Sequence, residues 1–320
     1  MSMKLCVLAL LGCSLSVFSQ PAAQADEYPN QPIHMIVGVS PGGGTDFIAR
    51  LSAQRLSEKL GVSVIVENKP GAAGRLAADY VSHAKPDGYT LLTVASDFVI
   101  PQAGYTPTYD PVTSFEPVTE FGYIPLLLTV NTQTPTKSVA ELISYAKANP
   151  GKLSYGGQGP GSIANYAFGV LGQKTGTEFM DVQFPGGESQ QVAQLGNEVQ
   201  LNFSPISTSV ELVKSGRLVG LGITGTARSD LLPNVPTINE AVGASDLDGA
   251  YNWHGLLAPA GTPKEVVQKL NDILVEFIHT EDFKKVMDPR GYVGVGSTPA
   301  EFHDFLVSNV KRFTAAAAQQ

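Results

Sequence analysis

Twice along this chain an apolar run breaks into a glycine-rich corner that opens straight into residues of helical spacing. The first instance is IHMIV, then GVSPGGGTD at 38–46, then FIARLSAQRL; the second is KLSYG, then GGQGPGS at 156–162, then residues from Ile163 to about Lys174. A strand that turns at once into a helix returns its next strand beside the first, so each corner commits its surroundings to a parallel sheet flanked by helices. Around the first corner the pattern predicts strands at 33–39, 62–68 and 89–95 and helices at 46–60 and 73–84. Ala49, Ala53, Leu56 and Leu60 share one face of the first helix, and Gly61 supplies its stop.

A proline-rich stretch, 101–117, separates this unit from the next, which begins with the apolar strand IPLLLTV at 124–130 and a helix at 138–148 ended by Pro150-Gly151. Near the end, LLAPAGTP leads into the amphipathic helix KEVVQKLNDILVEFI, and a last helix is expected from Pro299 to Thr314 with a frayed tail beyond. Two such units imply two α/β lobes with a cleft between them. The expected division is a first lobe of 26–125 plus 252–320 and a second of 126–251.

With 43% hydrophobic and 16% charged residues over 320 positions, the chain has the composition and length of two ordinary globular domains. Its front end reads as a secretory signal over 1–25: Lys4, an apolar stretch from Leu5 to Phe18, and the small-residue cleavage pattern Ala23-Gln24-Ala25. A membrane anchor needs about 20 apolar residues, and this stretch is shorter. Both cysteines, Cys6 and Cys13, fall inside it, so no disulfide is expected in the mature chain; Leu10-Leu11-Gly12-Cys13 leaves lipoprotein processing as an alternative. Removing Lys4 from the balance of 21 basic and 29 acidic residues leaves a mature net charge of −9. That argues against nucleic acid and anionic membranes as partners, and it requires an anionic ligand to be held by local geometry.

Three chemistries compete for the first corner. Gly38-Val39-Ser40-Pro41-Gly42 fits the G-x-S-x-G elbow of serine hydrolases, but the residue after the nucleophile must give an oxyanion-hole N–H, and Pro41 has none. A phosphate loop needs a lysine and a hydroxyl after its last glycine, whereas this corner continues Gly44-Thr45-Asp46. Gly220-Leu221-Gly222-Ile223-Thr224-Gly225 satisfies G-x-G-x-x-G, yet Pro233 and Pro236 stand where its helix should run, so these glycines are expected within a strand. No His, Cys or carboxylate cluster has metal-ligand spacing, and neither metal nor cofactor is expected. The third chemistry is reversible capture of a carboxylate by backbone N–H groups at a helix start. A plain turn with Asp46 as helix cap stays open beside it. Valine at Gly43 is expected to crowd the bound carboxylate and so to harm binding more than alanine at Gly71, which is read as a strand end.

The chain resembles the extracytoplasmic solute-binding receptors of tripartite tricarboxylate transporters, the Bug or TctC family. The resemblance is carried by YPNQPIHMIVGVSPGGGTDFIAR, VIVENKPGAAGRLAADYV, KPDGYTLL, LISYAKANPGKLSYGGQGPGS, LPNVPTINEA and WHGLLAPAGTPKEVVQKLN, which span nearly the whole mature chain. It implies a two-lobed periplasmic-binding-protein (Venus flytrap) fold, each lobe a mostly parallel sheet flanked by helices. It further implies a monomeric, non-enzymatic receptor that closes on a small organic acid in the periplasm and delivers it to membrane permease subunits; a sensor subunit is the alternative. Carried over residue by residue, the ligand loops are Ser40 to Asp46, including Gly42, Gly43, Gly44 and Thr45, and Gln158 to Ser162, including Gly159 and Gly161. Phe184, Gly186 and Gly187 form a third lining segment. Two positions depart from the family: Asn165, where a histidine is common, and Asp97, where relatives carry small or uncharged residues. An Asp97 that faces the cleft favours an amine or hydroxyl over a second carboxylate; the alternative is a cap or rim turn.

Overall fold

The computed structural model describes residues 28–100, 108–157, 162–184, 186–247 and 249–317. The expected signal segment with both cysteines, and Gln158, Gly159 and Gly161 of the second corner, lie outside these residues. The first unit runs β1 (Ile33–Val37), α1 (Gly44–Leu60), β2 (Val64–Asn68), α2 (Arg75–Ser82) and β3 (Thr90–Ala95). Gly61 ends α1 as expected, in the left-handed conformation (φ 72°) with its N–H on the Ser57 carbonyl. Next comes β4 (Phe115–Asn131), followed by α3 (Val139–Ala148), β5 (Ser154–Gly157), α4 (Ile163–Thr175), β6 (Met180–Gln183) and α5 (Gly187–Leu195). The chain continues through β7 (Leu201–Pro205), α6 (Ile206–Lys214), β8 (Leu218–Ile223), α7 (Ile238–Val242) and β9 (Tyr251–Pro259). It ends with α8 (Lys264–Ile278), α9 (Glu281–Met287), β10 (Val293–Gly294) and α10 (Pro299–Ala317).

The strands lie in the order β2-β1-β3-β9-β4-β7-β5-β6, with β8 and β10 also paired to β4. β1 is parallel to β2 and β3, and β5 is parallel to β6 and β7, as strand-corner-helix units demand. Every antiparallel pairing involves β4 or β9, the strands that tie the two halves together. β4 is far longer than the predicted 124–130. Pro117, which closes the proline-rich stretch, hid its first part, whereas Pro125 falls inside the predicted strand; each sits where a missing N–H does little harm. Pro117 lies at a register shift against β9, and Pro125 is the last residue paired to β9 before Leu126 takes up β7. The G-x-G-x-x-G match falls largely in β8, within a strand as expected.

Successive β4 side chains point to opposite faces of the sheet. Leu126, Leu128 and Val130 join one apolar layer with Phe203, Trp253, Phe302 and Phe313, while Leu127 joins the other with Met35, Ile48, Ile206 and Leu270. Neither layer stops at the junction between the lobes. The ring of Phe313, on α10, meets Tyr166 of α4 edge-on at 4.6 Å between centroids. The last helix therefore clamps across the sheet rather than fraying at Thr314, and it continues to Ala317.

Candidate functional site

The first corner is shaped by one close approach. A Cβ on Gly38 would lie 2.5 Å from the Gly74 Cα, so β1 can end against the turn before α2 only with glycine at 38. Asp46, expected among the ligand contacts, is instead fully engaged inside its own lobe. Its carboxylate accepts from Gly42 N–H (2.9 Å), Arg50 Nε and Nη2 (2.9 Å each) and Asn68 Nδ2 (2.8 Å). The Arg50 hydrogen bonds, with Gly42 and Asn68, hold its carboxyl down at about 2 against the effect of burial. Gly43 caps α1 with no side-chain bond, which leaves the first-turn N–H groups of that helix uncapped by side chains. Ser40, Gly42, Gly43 and Gly44 are exposed and Thr45 is buried. Within the fold itself a Cβ on Gly43 meets nothing nearer than 4.0 Å at an ordinary φ of −77°. Gly71 has φ 141°, and a Cβ there would lie 2.5 Å from Leu76 Cδ1.

At the second corner Ser162 accepts from Asn165 N (3.3 Å) and caps α4. Asn165, the expected second-subsite residue, turns into its own lobe, donating to Tyr155 OH (3.0 Å) and the Asp181 carboxylate (3.3 Å). The Phe184 N–H continues the β5–β6 pairing by donating to Gly157 O (2.9 Å), and neither Phe184 nor Gly186 lines the cavity described next. Gly186 does cap α5 without a side-chain bond, and Gly187 does line that cavity.

A cavity of about 380 Å³ lies between the halves, bounded by the starts of α4 (Ser162, Ile163) and α5 (Gly187, Glu188) and by Asp97 and Asn252 from the other side. A smaller one, about 80 Å³, is bounded by Gly38, Thr45, Gly74 and Thr93, and Asp97 lines it too. Asp97 thus stands where the two corners face each other. Burial pushes its carboxyl up to about 6, although the Arg75 charge and the Ile163 N–H both favour the ionised form. A larger hollow of about 590 Å³, between residues 224–231 and 278–294, contains neither corner.

Three buried polar atoms in these walls have no hydrogen-bond partner: Asn202 Oδ1, Gln190 Nε2 and Thr93 Oγ1. An orphaned buried polar atom is destabilising by about 1–3 kcal/mol unless something answers it. The motifs did not point to these residues. Their signal was a single polar residue inside an apolar strand run, Thr93 in LLTVA and Asn202 in LNF, and Gln190 one turn into the helix that follows Gly186-Gly187.

Ser40 makes no hydrogen bond to a histidine among the described residues. His254, the one fully buried histidine among them, has both ring nitrogens unpartnered, and burial pushes its imidazole down to about 4. It stacks on Tyr292 with 5.8 Å between ring centroids. His83, His279 and His303 are exposed and His34 pairs with Glu67.

The model of the TctC family, "Tripartite tricarboxylate transporter family receptor", matches residues 48–317. A UPF0065 protein from the gbd 5' region of Cupriavidus necator is 36% identical over 292 residues, 89% of this chain and 84% of that one. Rpa4515 of R. palustris, solved with adipate, superimposes with TM-score 0.80 at 30% identity over 91% of this chain and 98% of its own. MatC of Rhodopseudomonas palustris, solved with bound malate, gives TM-score 0.76 at 26% identity over 90% and 99%.

Proposed function

The chain belongs to the tripartite tricarboxylate transporter receptor family, and from that premise we propose that it captures a small carboxylate between its lobes and hands it over chemically unchanged. One observation carries this reading. The cavity between the halves is walled by the starts of two helices, α4 and α5, and by buried polar side chains with no partner of their own. N–H groups at helix starts hold an anion without a basic side chain, which suits a chain of this acidity. The solved relatives with adipate and malate support a small carboxylic acid as the solute class.

In this account the first lobe comprises 26–125 and 252–320 and the second 126–251. The change of β4 partner from β9 to β7 at Pro125 and Leu126 supports that boundary. Residues 1–25 are the cleaved signal, the periplasm is the site of action, the receptor works as a monomer, and permease subunits of the transporter are its partners. No chemistry is done on the ligand, and Ser40 is not a nucleophile.

Calorimetric titration of adipate and adipamide into the purified protein tests the reading. Each charge-assisted hydrogen bond is worth about 1.5–3 kcal/mol and a buried methylene about 0.8. Loss of two such bonds in the diamide weakens binding by about a hundredfold or more, well beyond the effect of shortening the diacid by one carbon. Equal affinity for acid and amide would count against it.

A further inference from the structure

We propose that Asp97 makes the cleft select a solute that carries a protonated amine as well as its carboxylate; the inference rests on the carboxylate reading above. Asp97 lines both cavities, so it faces whatever the two lobes enclose. The only other ionisable group among the described lining residues is Glu188; no lysine, arginine or histidine borders either space. Helix starts can satisfy one carboxylate, but a second one placed beside Asp97 has no cation to meet it.

An ammonium group reverses that balance. It brings three N–H donors, and the walls offer it acceptors: the Asp97 carboxylate, which also takes the Ile163 N–H, and the unpartnered Asn202 Oδ1, on a residue only 2% exposed. Gln190 Nε2, orphaned on a residue 4% exposed, supplies the complementary donor for the ligand's carboxylate end. Arg75 does not take the ammonium's place. Its guanidinium donates to the main-chain carbonyls of Ala72, Asp97 and Ile100, which fixes the backbone of Asp97. With the Ile163 N–H, it favours the ionised carboxylate that an amine requires.

The test compares matched probes of four and six carbons: the unbranched monoacid, the diacid, the α-amino acid and the ω-amino acid. Each is titrated by calorimetry into wild type, Asp97→Asn and Glu178→Gln. The expected result is that one amino acid binds wild type at least tenfold more tightly than the monoacid and diacid of its length. Asp97→Asn removes that margin, and Glu178→Gln, at an exposed position that lines neither cavity, keeps it. A thermal melt establishes that both variants are folded. If a diacid or monoacid binds wild type as tightly as the amino acids and Asp97→Asn leaves the ratio unchanged, the role of Asp97 is overturned while the carboxylate reading stands. Loss of the margin in Glu178→Gln alone would also overturn it. If none of the probes binds any of the three proteins, the carboxylate reading falls and takes this one with it.

Discussion

Replacing Asp97 by asparagine removes an ionisation that the fold opposes. An unperturbed aspartate titrates near 3.8, and burial lifts Asp97 in the native state to about 6. The native protein therefore holds this proton more tightly than the unfolded chain does. Stability attributable to the group is unaffected below about pH 4, falls as pH rises from about 4 to 6, and stays reduced above that. At about 1.4 kcal/mol per unit, the destabilisation at pH 7.5 is about 3 kcal/mol. Asparagine keeps an acceptor oxygen for the Ile163 N–H and has nothing to ionise, so the ligand-free variant should be more stable by about that amount. For a chain of this size that is about 6–10 °C in melting temperature. Melting wild type and variant from pH 4 to 8, after removal of bound solute, measures it. Subtracting the two curves cancels His254, which stays neutral in the fold and loses stability as pH falls from about 6.5 to 4. A variant no more stable than wild type at pH 7.5, or a difference that does not change with pH, would refute the reasoning.

Other substitutions follow from the corners and the clamp. Gly38→Ala forces backbone against backbone at Gly74 and should lower stability by about 1–3 kcal/mol in urea denaturation, whereas Gly43→Ala should stay within about 0.5 kcal/mol. Asp46→Asn should reduce stability by about 1–2 kcal/mol at pH 7, a modest figure because Arg50 is half exposed. Because Asp46 is held at about 2, that difference should shrink as pH falls from about 4 toward 2. Phe313→Ala empties a fully buried site between α10 and α4 and should reduce stability by about 3–5 kcal/mol in the same assay.

The first glycine corner and most of the helices were legible because their signals are local: Gly61 past the end of α1, Ser162 before α4, and an apolar stripe in KEVVQKLNDILVEFI that matches α8 residue for residue. β4 was half hidden because Pro117 looks like a breaker until the register shift beside it is known. The candidate site reads in the sequence as two loops, of which the first and the Ser162 end of the second are among the described residues. Which side chains they turn inward depends on contacts far apart in sequence. Asp46 is claimed by Arg50 and Asn68, and Asn165 by Tyr155 and Asp181, so neither is available to the cleft. Asn202 and Gln190 reach the cavity only because β7 lies against β4 and α5 packs over Gly156, where a Cβ would sit 3.1 Å from Gln190 Cβ. No spacing rule encodes that placement.

The central claim is that the space between the lobes holds a small carboxylic acid and releases it unaltered. The most direct measurement is mass spectrometry of the small molecules freed when protein purified from the periplasm is denatured. It is made for wild type and for Thr208→Trp, which places an indole at an exposed position on the cavity wall. The account predicts one carboxylic acid enriched to near one per chain in wild type and lost from the variant. Absence of any enriched acid, or equal recovery from the filled cavity, would contradict it.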